Sequence, residues 1–202
     1  MIHVKPTCPP LSGKLMPMTP TSLPRMIYII GAPGSGKSTF MAKMTEHLKR
    51  EPIISVPVAH DRLLFLDGEV AGAEIGKRRE AFGGTDALPA SIIEKAIPWV
   101  QGQPYKLLLA EGARLANKRF LLAAVEAGYA VHLAYLDHPE VEAWRAQRSE
   151  ALGKIQDAAW VKGRTTASDN LARYFMEKPD LGVQVYTGHP DRLLTELENL
   201  LG

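Results

Sequence analysis

The stretch Gly31-Ala32-Pro33-Gly34-Ser35-Gly36-Lys37-Ser38-Thr39 fits the spacing G-x-x-x-x-G-K-[ST], and each residue type in it has a chemical reason to be there. Glycines let successive backbone N–H groups turn inward around phosphate oxygens with no Cβ in the way. A helix that starts just after them adds partial positive charge at the same point. Lys37 would neutralise the β- and γ-phosphates of a nucleoside triphosphate such as ATP, and Ser38 would ligate Mg²⁺. A glycine turn that merely caps a helix is the plain alternative. The apolar run leading in and the amphipathic run leading out favour the phosphate loop.

Such a site needs acids near the metal, and strand ends in parallel sheets point into one crevice. Two acids follow apolar runs: Asp67 after Leu63-Leu64-Phe65-Leu66, and Glu111 after Leu107-Leu108-Leu109-Ala110. One would hold the metal, with Glu111 placed beside Ser38 in that role. Either Asp67 or Glu111 would accept the proton of an attacking hydroxyl. Each could instead cap the helix that follows.

Charge on a transferred phosphoryl group calls for arginine. Arg145 and Arg148 stand three apart after Asp137-His138-Pro139-Glu140 and would share a helix face. Arg164 lies in Trp160-Val161-Lys162-Gly163-Arg164-Thr165-Thr166, a polar stretch able to close over the nucleotide, which makes about 145–170 a lid region. Solvated surface pairs are the alternative for all three. Lys77-Arg78-Arg79, followed by Phe82-Gly83-Gly84-Thr85-Asp86, sits where a second substrate would enter. Phe82 there could stack on a base; otherwise the stretch is a helix end, a glycine stop and an N-cap. His47, His60, His132, His138 and His189 show no metal-ligand spacing. Trp99 and Trp144 read as packing residues, and Trp160 as a contact residue between helices.

These residues must be positioned by an alternation of short apolar runs and helical stretches, the pattern of a parallel sheet sandwiched by helices. Strands are expected over Met26–Ile30, Leu63–Leu66, Tyr105–Ala110, Val131–Leu136 and Val183–Tyr186. Helices are expected over Lys37–Arg50, Ala87–Gln101 (capped by Thr85 or Asp86), Asn117–Ala127 (closed by Gly128), from Pro139 onward, and Asp191–Leu201.

Length and charge set the frame. With 202 residues, 46% hydrophobic and 23% charged, the chain fits one globular domain with a small appendage. A single cysteine, Cys8, excludes an internal disulfide framework and a four-cysteine zinc site, and points to a reducing, cytoplasmic setting. No apolar run reaches the ~18 residues of a membrane span. The net charge of +2 is unevenly spread, because residues 1–50 hold seven basic residues and one acid. Six prolines and no acid fall within residues 1–25, which read as a flexible arm before a domain over 26–202.

The loop at 31–39, the acid at Glu111, and Tyr135-Leu136-Asp137-His138-Pro139-Glu140 running on to Arg145 and Arg148 resemble the thymidylate-kinase-type group of P-loop kinases. That resemblance implies an α/β fold of the P-loop NTPase class, nucleoside-monophosphate-kinase-like with a lid. Three further stretches resemble the bacteriophage kinases that act on 5-hydroxymethyluracil in DNA. They are Gly83-Gly84-Thr85-Asp86-Ala87-Leu88, Glu111-Gly112-Ala113-Arg114-Leu115, and Trp160–Thr166 with Asn170-Leu171-Ala172. This second resemblance implies phosphorylation of the base's hydroxymethyl group, a step towards thymidine hypermodification. Free thymidylate kinases carry Asp-Arg-aromatic where this chain has Glu111-Gly112-Ala113-Arg114, a departure that weakens free dTMP as acceptor. The expected partner is therefore DNA containing a modified pyrimidine. A free nucleotide, nucleoside or small metabolite is the second reading, and a nucleotide-switched ATPase or binding module the third.

Overall fold

The computed structural model describes residues 23–54, 57–77, 83–153 and 156–201. The proline-rich stretch to residue 22 lies outside them, as do Arg78, Arg79 and Phe82. Among the described residues seven strands form one sheet: β1 (Arg25–Gly31), β2 (Lys49–Ile53), β3 (His60–Leu64), β4 (Val70–Ile75), β5 (Leu107–Glu111), β6 (Ala130–Leu136) and β7 (Val183–Gly188). Their order is β2-β3-β4-β5-β1-β6-β7. Pairings from β4 through β5, β1 and β6 to β7 are parallel, whereas β2, β3 and β4 pair antiparallel.

Period-two alternation along β1 feeds two cores. Met26, Tyr28 and Ile30 face a layer built by α2 (Ile93–Gln101), α3 (Lys118–Glu126) and α5 (Ala158–Met176). Ile27 and Ile29 face α1 (Lys37–Met44) and α6 (Pro190–Glu198), which contribute Phe40, Met41, Met44, Leu193 and Leu197. α4 (Val141–Leu152) stands outside both layers, and none of its described side chains is fully buried. No described helix is long and apolar enough to cross a membrane.

Four expectations change. The sheet is parallel only in part, since its β2-β3-β4 edge is an antiparallel meander. β2 is hard to read because Lys49-Arg50-Glu51-Pro52-Ile53 is a polar edge strand whose proline removes one ladder donor. α1 ends six residues early, at Met44, where the Thr45 hydroxyl donates to the Met41 carbonyl (2.8 Å). The helix expected from Ala87 begins at Ile93, because Leu88 precedes a proline and is extended (ψ 157°). Two 3₁₀ turns, Gly84–Ala87 and Ala90–Ile92, replace its first part. Trp160 lies in the first turn of α5, whose N-cap Asp157 accepts from the Trp160 amide (2.7 Å).

Candidate functional site

β1 delivers the glycine loop to the carboxyl edge of the parallel strands, where the chain turns into α1. β5 lies on one side of β1 and β6 on the other, so the loop opens at the switch point of the sheet. Gly34 has φ +86°, and a Cβ there would come within 2.7 Å of the Arg145 Cβ. Only glycine lets α4 press this closely on the loop. Lys37 is held by the loop itself, its Nζ donating to the carbonyls of Gly31 (3.1 Å) and Ala32 (2.9 Å).

Facing the loop, β5 ends in Glu111, which is 5% exposed. The Ser38 hydroxyl donates to Glu111 Oε1 at 3.1 Å. Burial pushes the Glu111 carboxyl above its ordinary value; the Lys37 charge and the Ser38 hydrogen bond oppose that, and Asp86 and Glu74 add to it. Lys37 is shifted the other way: burial lowers it, Glu111 and Asp86 hold it up, and Arg148 and Arg164 lower it further. The charge of each favours the ionised form of the other, against the burial that opposes both.

The segment that closes the floor is Gly83–Ala87. The Tyr28 hydroxyl reaches up from β1 to the Gly112 carbonyl (3.1 Å) and lies 3.1 Å from the Thr85 hydroxyl, which donates to the Glu111 carbonyl at 2.9 Å. Burial raises the Tyr28 hydroxyl far above its usual range, so it stays a donor. Gly84, with φ +62°, lies so close that a Cβ would meet both the Glu111 carbonyl and Oε1 at 2.6 Å. This packing presents Asp86 to the cleft, with Oδ1 fixed by the Ala113 amide at 3.0 Å.

The resulting cavity, about 270 Å³, is lined by the loop residues Gly31, Pro33, Gly34 and Gly36 to Thr39, and by Gly83, Asp86, Glu111, Gly112, Ala113, Trp144, Arg148, Gln156, Trp160, Arg164 and Ser168. Lys37, Ser38, Glu111, Arg148 and Arg164 therefore meet as the sequence implied, together with most of the loop. Ala32 and Ser35 lie behind the loop surface, and outside the loop two candidates stand apart. Asp67 sits in the exposed turn of the β3–β4 hairpin, where its Oδ1 accepts from the Glu69 amide (3.0 Å). Because β3 runs antiparallel to β4, its far end lies at the opposite edge of the sheet from the loop, so Asp67 is no partner of the site. The Arg145 guanidinium turns away to Glu142 and lines an outer groove between α4 and α5, while its backbone supports Gly34. Expected to share a face, Arg145 and Arg148 are separated by that packing.

Asp86 is the residue sequence reasoning passed over, because Thr85-Asp86 before a helical run reads as a cap. The signal was present in Gly83-Gly84, a glycine pair whose close approach to another strand explains it better than a helix stop. Trp144, Ser168 and Gln156 were also missed; they reach the cleft from α4, α5 and the segment between them.

A glycine loop at the switch point of a largely parallel sheet flanked by helices defines an α/β P-loop NTPase fold. The model of the family described as P-loop Nucleotide Kinase3 matches residues 22–202, and the chain belongs to that family. Searches of the curated proteins and of the solved structures found no match. Membership supports nucleotide binding and phosphoryl transfer of the nucleotide-kinase type.

Proposed function

We propose that the chain is an ATP- and Mg²⁺-dependent kinase whose acceptor is a hydroxyl on a nucleotide-type molecule, the hydroxymethyl group of 5-hydroxymethyluracil in DNA being the reading the sequence favours. One observation carries the kinase reading. The cleft is lined by the phosphate loop with Lys37, by the hydrogen-bonded Ser38–Glu111 pair and by a second fixed carboxylate, Asp86. Ser38 and Glu111 are hard oxygen donors side by side, a set suited to Mg²⁺, which when bound supplies neutralising charge to the phosphates. Lys37 would hold the β- and γ-phosphates. Asp86 would take the proton of the acceptor hydroxyl as that oxygen bonds to the γ-phosphorus and ADP leaves. Arg148 and Arg164, on neighbouring helices, would cover the transferring group.

Trp160, 42% exposed with Arg164 above its ring (5.7 Å), gives the cleft mouth an aromatic surface for a base. A base in duplex DNA would have to leave the stack at a cost of a few kcal/mol. The test offers γ-labelled ATP with DNA containing 5-hydroxymethyluracil and, separately, with free deoxynucleotides and nucleosides. Label on the DNA supports the acceptor assignment, and label on monomers alone overturns it. Label released only as inorganic phosphate overturns the kinase reading. Lys37→Ala abolishes transfer to either acceptor, and a Lys37→Ala protein that retained it would overturn the phosphate-loop assignment.

A further inference from the structure

The strongest feature the kinase reading leaves unused lies on the outer flank of the phosphate loop. Here the loop after β6 and the loop after β7 bring His138, Glu140 and His189 together, with one donor atom of each within 4.8 Å of the others. We propose that these three side chains form a site for a divalent transition-metal ion of the zinc class, separate from the Ser38–Glu111 pair.

The hydrogen bonding of His138 carries the argument. Its Nε2–H donates to the Ser35 carbonyl in the phosphate loop at 3.3 Å. That bond turns Nδ1 into the cluster, 3.1 Å from Glu140 Oε2, an ion pair when a proton sits on Nδ1. A metal ion would take the place of that proton and be shared by the imidazole and the carboxylate. A metal-binding histidine characteristically donates its other ring N–H to a backbone carbonyl, which fixes tautomer and ring orientation. The Ser35 carbonyl fills that role here.

Packing holds the donors in place. The Trp144 ring lies 4.4 Å from His138 and 5.7 Å from His189, and the two imidazoles are 5.1 Å apart, centroid to centroid. The His138 side chain is 1% exposed, whereas Glu140 and His189 are 50% and 36% exposed, so an ion has a path in from solvent. Two neutral imidazoles and one carboxylate suit a borderline ion such as Zn²⁺ and not Mg²⁺, which prefers an all-oxygen shell. His189 Nδ1 also accepts from the Asp191 amide (3.2 Å) at the start of α6, so ligation through that atom would exchange the cap for the metal. A bound ion would tie the start of α4 to the start of α6 across Ser35. It would also fix Trp144, which touches the loop at Gly36 and forms part of the nucleotide cleft.

The test uses the full chain, stripped with a chelator and without nucleotide, so that its outcome is independent of kinase activity. Co²⁺ is titrated by its visible d–d absorption and Zn²⁺ by calorimetry. One equivalent is expected to bind and to resist excess Mg²⁺. His189→Ala and Glu140→Gln, both at solvent-facing side chains, should each weaken binding at least about tenfold, with thermal melts confirming that they fold. Ser38→Ala should bind like the parent. Absence of stoichiometric binding, parent-like binding by either cluster variant, displacement by Mg²⁺, or loss of binding in Ser38→Ala would each overturn the site.

Discussion

Asp86→Asn separates charge from shape in the proposed transfer step. Asparagine keeps an Oδ1 acceptor for the Ala113 amide, which now lies 3.0 Å from the aspartate oxygen, so the Gly83–Ala87 segment keeps its anchor. What disappears is the anion. A positioned general base contributes about 100- to 10,000-fold, equivalent to about 2.7 to 5.4 kcal/mol of barrier at 1.36 kcal/mol per decade. The carboxylate also helps to keep Lys37 protonated, but Glu111 is the larger of the two charges acting that way, so the loop lysine retains its principal counter-charge. Steady-state transfer should therefore show kcat lower by at least about 100-fold, with the KM for ATP within about threefold of the parent. Asp86→Ala should lose the same factor and in addition about 1 kcal/mol of stability from the missing anchor. A kcat for Asp86→Asn within about threefold of the parent would refute the assignment, because the proton would then be leaving by another route.

Three further substitutions probe the framework. Gly84→Ala puts a methyl where the Glu111 carbonyl and Oε1 stand, in a backbone region that costs a side chain about 1–2 kcal/mol; kcat should fall more than tenfold while circular dichroism still shows the parent fold. Arg50→Ala leaves Asp61 and Glu74, both nearly buried, without the guanidinium that pairs them, and urea melts should show a loss of about 3–5 kcal/mol. Glu111→Gln tests the buried carboxyl. Its folded pKa is raised above the ordinary 4.5, so the stability it contributes is complete below that value and is lost as pH rises through the folded one. The glutamine variant should therefore be the more stable protein at about pH 8 and match the parent below about pH 4, while losing transfer activity.

The parts of this fold visible in the sequence are those where local pattern and tertiary demand agree. β1, β5 and β6 are largely apolar runs, β7 alternates as Val183-Gln184-Val185, and α3 starts at a side-chain cap and stops before a glycine. The phosphate loop is legible for the same reason, since its chemistry is contiguous in the chain. The antiparallel edge was not, because Lys49–Ile53 earns its strand conformation from pairing with β3 and its place from the Arg50 ion pairs, not from its own alternation. Asp67 misled because an acid after an apolar run looks the same whether the strand points towards the loop or away from it. Direction depends on a hairpin partner, Val70–Ile75, whose Gly72 and Glu74 hide it. His138 and His189 are 51 positions apart, and only the parallel neighbours β6 and β7 bring their loops together.

The charges of the cleft bear on the acceptor. Among the described residues that line it the cations are Lys37, Arg148 and Arg164, and both arginines act on the Lys37 ammonium. Next to Asp86 lie the backbone of Gly112 and the Ala113 amide. A free nucleotide brings its own phosphate into the pocket and needs a cation to meet it. A base presented from a polymer leaves its phosphates outside the pocket. The salt dependence of the acceptor KM is the sharpest distinction between the two. A polymer held by outside phosphate contacts weakens steeply with salt, whereas a monomer held by one buried ion pair does so far less.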